Sequence, residues 1–193
     1  MKQLLLLIAI TFSMAAQAEW ILQGEGSHLG FATVKNDLIA ENHSFTQLNG
    51  TVSDEGRVEI TIPLSSVETM IPIRNERMRS MLFDVATYPL GTVNADIDLA
   101  AYTSLAVGDY KINRVTFTVN LHGTALEKTV AVKVLRSGSN SFDVSSLNPI
   151  VIHASQFSLA EGVESLRKVA GLQSIDLMVP VSFDLRFAGS VEG

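Results

Sequence analysis

Two-residue alternation dominates the chain and is clearest near its C-terminus. Ile175, Leu177, Val179, Val181, Phe183, Leu185 and Phe187 are apolar and odd-numbered, with Asp176, Met178, Pro180, Ser182, Asp184 and Arg186 between them. Successive strand residues face opposite sides, so this pattern predicts a long strand with one buried face. Pro180 has no amide hydrogen to give a ladder and marks an edge position or a bulge. The same alternation recurs at Val58, Ile60, Ile62 and Leu64; at Val93, Ala95, Ile97 and Leu99; at Val115, Phe117, Val119 and Leu121; and at Val130, Val132 and Val134. Upstream of Val115 the parity switches, with Tyr110 and Ile112 apolar at even positions, which predicts a bulge near Asn113. Shorter strands are expected at 29–34, 44–52, 142–145 and 150–154.

Turn residues separate these segments: Asp54-Glu55-Gly56, Val107-Gly108-Asp109 and Ser137-Gly138-Ser139-Asn140. Alternating strands joined by short turns make an antiparallel all-β sandwich or barrel. Two stretches carry helical spacing instead. Met78, Met81, Leu82 and Val85 share one face within 74–85, and Val163, Leu166, Val169 and Ala170 do so within 161–172. Glu161 and Glu164 open the second helix, Arg167 and Lys168 lie near its end, and Gly171 is placed to cap it. Short helices in such a protein cover a barrel end or a sheet edge. A barrel of about eight strands encloses packed side chains or one small ligand, and alternation alone does not decide between them.

The first residues form a separate unit. Lys2, the apolar run from Leu4 to Ile10 and the Ala16-Gln17-Ala18 site have the three-part layout of a secretory signal peptide. Residues 1–18 are therefore expected to be removed, leaving one domain over 19–193 and a periplasmic location. The run is shorter than the roughly 20 apolar residues a membrane-spanning helix needs. Two helices, few aromatics and the Val191-Glu192-Gly193 ending favour a barrel without stable membrane insertion.

Composition narrows the chemistry. A net charge of −6 with no basic run argues against nucleic acid. With no cysteine, disulfides, thiolate metal sites and thiol redox chemistry are ruled out. His28, His43, His122 and His153 are scattered without metal-ligand spacing, so no metal or other cofactor is expected. Asp96 and Asp98 lie on the solvent face of their strand. Gly24-Glu25-Gly26-Ser27-His28-Leu29-Gly30 misses the dinucleotide spacing and leads into a strand. Ser165-Leu166-Arg167-Lys168 matches Ser-x-x-Lys without its companion elements. Nothing in the sequence calls for an enzyme.

Several segments, taken in order, carry a family resemblance. They are Ser27-His28-Leu29-Gly30-Phe31; Phe45 with Leu48-Asn49-Gly50-Thr51-Val52; Ser65-Ser66-Val67-Glu68-Thr69; the run from Arg74 to Asp84, then Tyr88-Pro89; and Val119-Asn120-Leu121-His122-Gly123-Thr124 followed by Val130 and Val132. Together the chain resembles the YceI-like family of exported bacterial proteins. The resemblance implies a lipocalin-like antiparallel barrel of about eight strands with two short helices, whose elongated cavity holds a polyisoprenoid or similar long-chain lipid. Two departures stand out. Arg74-Asn75-Glu76-Arg77-Met78 replaces the usual Arg-Asp followed by His-Leu, and Leu82-Phe83 replaces a common Phe-Phe pair. Both fall near the presumed mouth, where head-group chemistry is set.

The candidates to line a cavity are Phe31, Phe45, Ile60, Ile62, Leu82, Phe83, Ile97, Phe117, Val119, Phe183 and Leu185. The same residues would serve as a packed core if no cavity exists. Met70, Met78 and Met81 add adaptable side chains near the first helix. Arg74, Arg77 and Arg79 form the densest basic cluster; they suit a phosphate or pyrophosphate head group, or a solvated helix face paired with Glu76 and Asp84. The sequence thus points to a periplasmic carrier or store for a long-chain isoprenoid, quinone-like or acyl lipid, with a homodimer as a possible assembly. An enzyme acting on such a lipid and a filled-barrel accessory protein are the alternatives.

Overall fold

The computed structural model describes residues 20–190. The leader, its cleavage site and the last three residues lie outside the described residues. The strands are β1 (Trp20–Lys35), β2 (Ile39–Phe45), β3 (Asn49–Val52), β4 (Arg57–Pro63), β5 (Val67–Glu68), β6 (Leu90–Asp96), β7 (Tyr110–Leu121), β8 (Thr124–Gly138), β9 (Ser141–Ser146), β10 (Ile150–His153) and β11 (Met178–Gly189). The helices are α1 (Pro72–Arg77), α2 (Ala100–Thr103) and α3 (Ala160–Val169).

All pairings are antiparallel, and β11 closes the sheet by pairing with β1. The barrel circuit runs β1, β3, β4, β6, β7, β8, β9, β11, which makes eight strands. The long strands β1 and β11 each serve two neighbours on one side. β1 pairs with β3 at Trp20 and Ile21, and with β2 from Leu29 to Lys35. β11 pairs with β9 from Asp184 to Ala188, and with β10 from Met178 to Val181. Pro180 lies opposite Val151 of short β10 and beyond the end of the β1 pairing, an edge position where its missing N–H costs no ladder bond.

Several elements differ from expectation. No bulge interrupts β7: its register with β8 is continuous from Tyr110 opposite Leu135 to Leu121 opposite Thr124. The parity switch arises because Tyr110 and Ile112 face solvent, 57% and 51% exposed, while Lys111 and Asn113 lie beside Tyr102 of α2. Bulges occur instead between Gln23 and His28 in β1 and between Arg136 and Gly138 in β8. The expected strand over 44–52 is the end of β2 plus β3, and the strand through Leu99 stops at Asp96. Ile175 forms only an isolated bridge to Lys35 ahead of β11.

The helices occupy both barrel ends. At one end α2 places Tyr102 in a buried cluster with Val132, Val134 and Phe142, against Trp20. Arg136 holds the following loop by donating Nη1 to the Thr103 and Leu105 carbonyls (2.7 and 2.6 Å). At the other end α1 runs into a π-helical turn, Met78–Leu82, where the Phe83 N–H reaches the Met78 carbonyl at 2.9 Å. This end has its own core of Leu64, Val67, Met78, Phe83, Ala154, Phe157 and Leu159. α3 crosses the π turn closely: a Cβ on Gly162 would stand 2.9 Å from Leu82 Cα, so glycine permits the contact. α3 ends in a Schellman motif. Gly171 (φ 64) donates to the Lys168 carbonyl and Leu172 to that of Arg167. The Arg167 hydrogen bond and charge hold the Glu164 carboxyl at about 2.

Candidate functional site

Inward side chains around the barrel leave a cavity of about 620 Å³. That volume is in the usual range for a small-molecule site. All eleven apolar candidates named from the sequence line it. On β11 the lining residues Val179, Val181, Phe183, Leu185 and Phe187 run along roughly 26 Å of strand, at about 3.3 Å per residue. The cavity is therefore long, and apolar over most of its length.

Its two ends differ. The end at α2 is lined by Trp20, Leu99, Tyr102 and Phe142, and Trp20 packs edge-on against Phe142 at 4.8 Å. At the other end the lining residues Ile71, Ile73, Val169, Ala170 and Asp176 are solvent-exposed, which identifies the mouth. The mouth is built by the β1–β2 hairpin, α1, the end of α3 and residues 170–176 after it.

Polar groups concentrate toward the mouth. Thr33 and Lys35 of β1, Glu41 and His43 of β2, and Arg74 and Arg77 of α1 all line the cavity there. Register explains the first four: Phe31 lies opposite His43 and Thr33 opposite Glu41, on the same face as Phe45. Glu41 Oε2 accepts from Lys35 Nζ (2.9 Å) and Arg74 Nη1 (2.8 Å). Burial works against its charge, but the Lys35 hydrogen bond and both cations hold its carboxyl below the ordinary range. Arg74 also donates Nη2 to the Thr69 carbonyl at 2.6 Å.

His43 is 6% exposed, and its Nε2 shares a hydrogen bond with Thr33 Oγ1 at 2.9 Å. Its Nδ1 is buried without a partner among the described residues. Burial and then the Arg74 charge push the imidazole below its ordinary 6.5, toward the neutral form. Hydroxyl and imidazole have the reach of a nucleophile and base, but among the described residues no third group hydrogen-bonds the ring at Nδ1.

The three arginines have separate roles. Arg74 is engaged by Glu41 and Thr69. Arg79 donates Nε to the Ser65 carbonyl (2.7 Å), lies 3.8 Å from Glu76, and does not face the cavity. Arg77 lines the cavity and makes no hydrogen bond or ion pair among the described residues. Asn75, one of the departures noted in the sequence, is buried beneath them. Its Oδ1 accepts from the Thr69 N–H (2.9 Å) and Oγ1 (2.6 Å), and its Nδ2 donates to Glu68 Oε1 (3.0 Å).

Sequence reasoning missed Glu41 and His43 as cavity residues. Their odd-number parity with Phe45 is the available signal, masked because polar side chains in a strand ordinarily mark its solvent face. Among the described residues no group of three or more His, Asp or Glu is placed to hold a metal. Ser165 donates to the Glu161 carbonyl within α3, which makes Ser-x-x-Lys a helix-surface coincidence.

Comparison with known proteins agrees with this architecture. Residues 19–187 match the family model of the YceI-like domain. A polyisoprenoid binding domain from Saccharophagus degradans, implicated in plant cell wall breakdown, is 37% identical; the match covers 89% of this chain and 98% of that one, with a TM-score of 0.87. Burkholderia cenocepacia BcnA shares the fold at 18% identity, over 86% of this chain and 98% of that one, with a TM-score of 0.67. The Campylobacter jejuni YCEI protein does so at 13% identity, over 78% and 85% of the two chains, with a TM-score of 0.54. No curated protein matches.

Proposed function

We propose that this chain, which belongs to the YceI-like family, binds a long-chain isoprenoid lipid, tail in the barrel and head group at the mouth. The observation that carries this is the cavity itself: long, apolar along β11 and capped by Tyr102, with its charged residues toward the open end. Each methylene moved from water into such a cavity gains about 0.8 kcal/mol, so a tail binds by length while the head sets selectivity. Similarity to the Saccharophagus degradans polyisoprenoid binding domain supports the ligand class. A quinone-like or acyl lipid shares the tail requirement and differs at the head.

Among the described residues Arg77 is the mouth cation without a partner and so open to an anionic head, and the Thr33–His43 pair suits a carbonyl or hydroxyl. Similarity to a polyisoprenoid binding domain supports binding over catalysis. The N-terminal leader pattern supports export to the periplasm, with one domain from Glu19 onward carrying or storing the lipid. Titration with a long-chain polyprenol delivered from detergent tests the function. Saturable uptake near one molecule per chain supports it, and absence of uptake contradicts it.

A further inference from the structure

Resting on the lipid-binding function above, we propose that the mouth docks reversibly on a lipid bilayer surface through Leu38, Met70 and Ile73. Leu38 is 90% exposed, Met70 85% and Ile73 58%. They belong to two separate segments that meet at one rim. Met70 follows Thr69, whose carbonyl accepts from Arg74; Arg74 pairs with Glu41, and Glu41 with Lys35 beside the hairpin tip. Ile73 itself lines the cavity, so the apolar rim is continuous with the path a tail would take.

Both prongs are held outward by their backbones. At the β1–β2 tip, Asn36 (φ 50) and Asp37 (φ 63) are left-handed. Their polar groups are tied to the segment after α3: the Asn36 N–H donates to the Ser174 carbonyl (3.0 Å), Asn36 Oδ1 accepts from the Gln173 N–H (2.8 Å), and Ser174 Oγ donates to Asp37 (2.7 Å). Leu38 is left facing solvent. Met70 is also left-handed (φ 62), a strained region for a long side chain, and Asn75 clamps the preceding Thr69 in place.

Separate aliphatic prongs with polar residues between them suit a deformable lipid surface. A protein partner would instead be expected to meet a packed aromatic or arginine anchor, since leucine is under-represented at such hot spots. The overall net charge of −6 works against an anionic surface, so docking is driven by apolar insertion. A few side chains of this kind give weak, reversible attachment suited to exchanging a ligand, not a permanent anchor.

The test is flotation of the protein, expressed from its full sequence and recovered in the soluble fraction, with phosphatidylcholine vesicles. Leu38→Glu with Met70→Glu should weaken flotation by about tenfold or more. Leu38→Ser with Met70→Ser should weaken it to a smaller extent, and Tyr110→Glu with Ile112→Glu, on the outer face of β7, should leave it unchanged. Uptake of a radiolabelled polyprenol should slow from vesicles in the rim variants and keep its extent from micelles. No flotation of the unaltered protein, or equal flotation of the rim variants, would overturn docking. So would a rim effect seen only as loss of a homodimer on size-exclusion chromatography. Failure of the unaltered protein to take polyprenol from micelles would instead contradict the cavity's function, with flotation still deciding docking.

Discussion

Arg74 reaches across the cavity mouth to Glu41, donating from Nη1 to Oε2 at 2.8 Å, while Arg77, three residues further along the same chain segment, has no partner among the described residues. The two arginines should therefore separate on mutation. Arg77→Gln is expected to leave stability within about 0.5 kcal/mol and to weaken a phosphate-headed lipid by roughly 1.5–3 kcal/mol, with no effect on an uncharged polyprenol. Arg74→Gln is expected to cost about 1–3 kcal/mol of stability, because the Thr69 carbonyl loses its donor and Glu41 one of two cations. Urea unfolding and paired titrations with the two lipids check both.

Asn75 needs both faces of its amide: its oxygen accepts from Thr69 and its nitrogen donates to Glu68. Asn75→Asp replaces that donor with a second carboxylate facing Glu68. The expected loss is about 1–3 kcal/mol near neutral pH, shrinking as the pair is protonated. A midpoint shift in urea that recovers toward acid pH checks the cause.

Acid should destabilise the fold in two stages. The His43 imidazole is held below 6.5 by burial and Arg74, so the unfolded chain takes up its proton first. That contribution is complete above about pH 6.5 and is lost as pH falls through the depressed folded value. Glu41, Glu68 and Asp143, also depressed in the folded state, continue the loss with the same sign at lower pH. His43→Gln is expected to flatten only the first stage, measured as the slope of unfolding free energy between about pH 6.5 and pH 5.

An open cavity and a filled core respond oppositely to added volume. Val119→Trp in a packed interior would cost about 1–3 kcal/mol through overpacking. Val119 lines the cavity, so the indole has room. Stability is expected to change by less than about 1 kcal/mol while long-chain uptake is lost, read by thermal unfolding and polyprenol titration.

Much of the barrel was legible because its inward positions keep period two across β4, β6, β7 and β11, and all eleven apolar candidates point to one interior. Legibility failed where local rules were broken. The first half of β1 is interrupted by Gly24 to Ser27, which bulge out of register between Gln23, opposite Arg186, and His28, opposite Asp184, so only its second half alternates visibly. Tyr110 and Ile112 are apolar on the outer face and mimic a register slip. α2 is too short for helical periodicity to register, and its role rests on Tyr102 alone. At the site, three adjacent arginines carry no sequence mark of which is engaged. Only the fold brings Glu41 to Arg74 and leaves Arg77 facing the cavity.

The most direct measurement is native purification from a producing bacterium, followed by intact mass analysis, solvent extraction and mass spectrometry of the extract. A chain beginning at Glu19 with a stoichiometric long-chain isoprenoid is the expected result. An empty extract, together with no uptake of added polyprenol, would contradict the lipid-binding function and leave a barrel whose cavity serves no long-chain ligand.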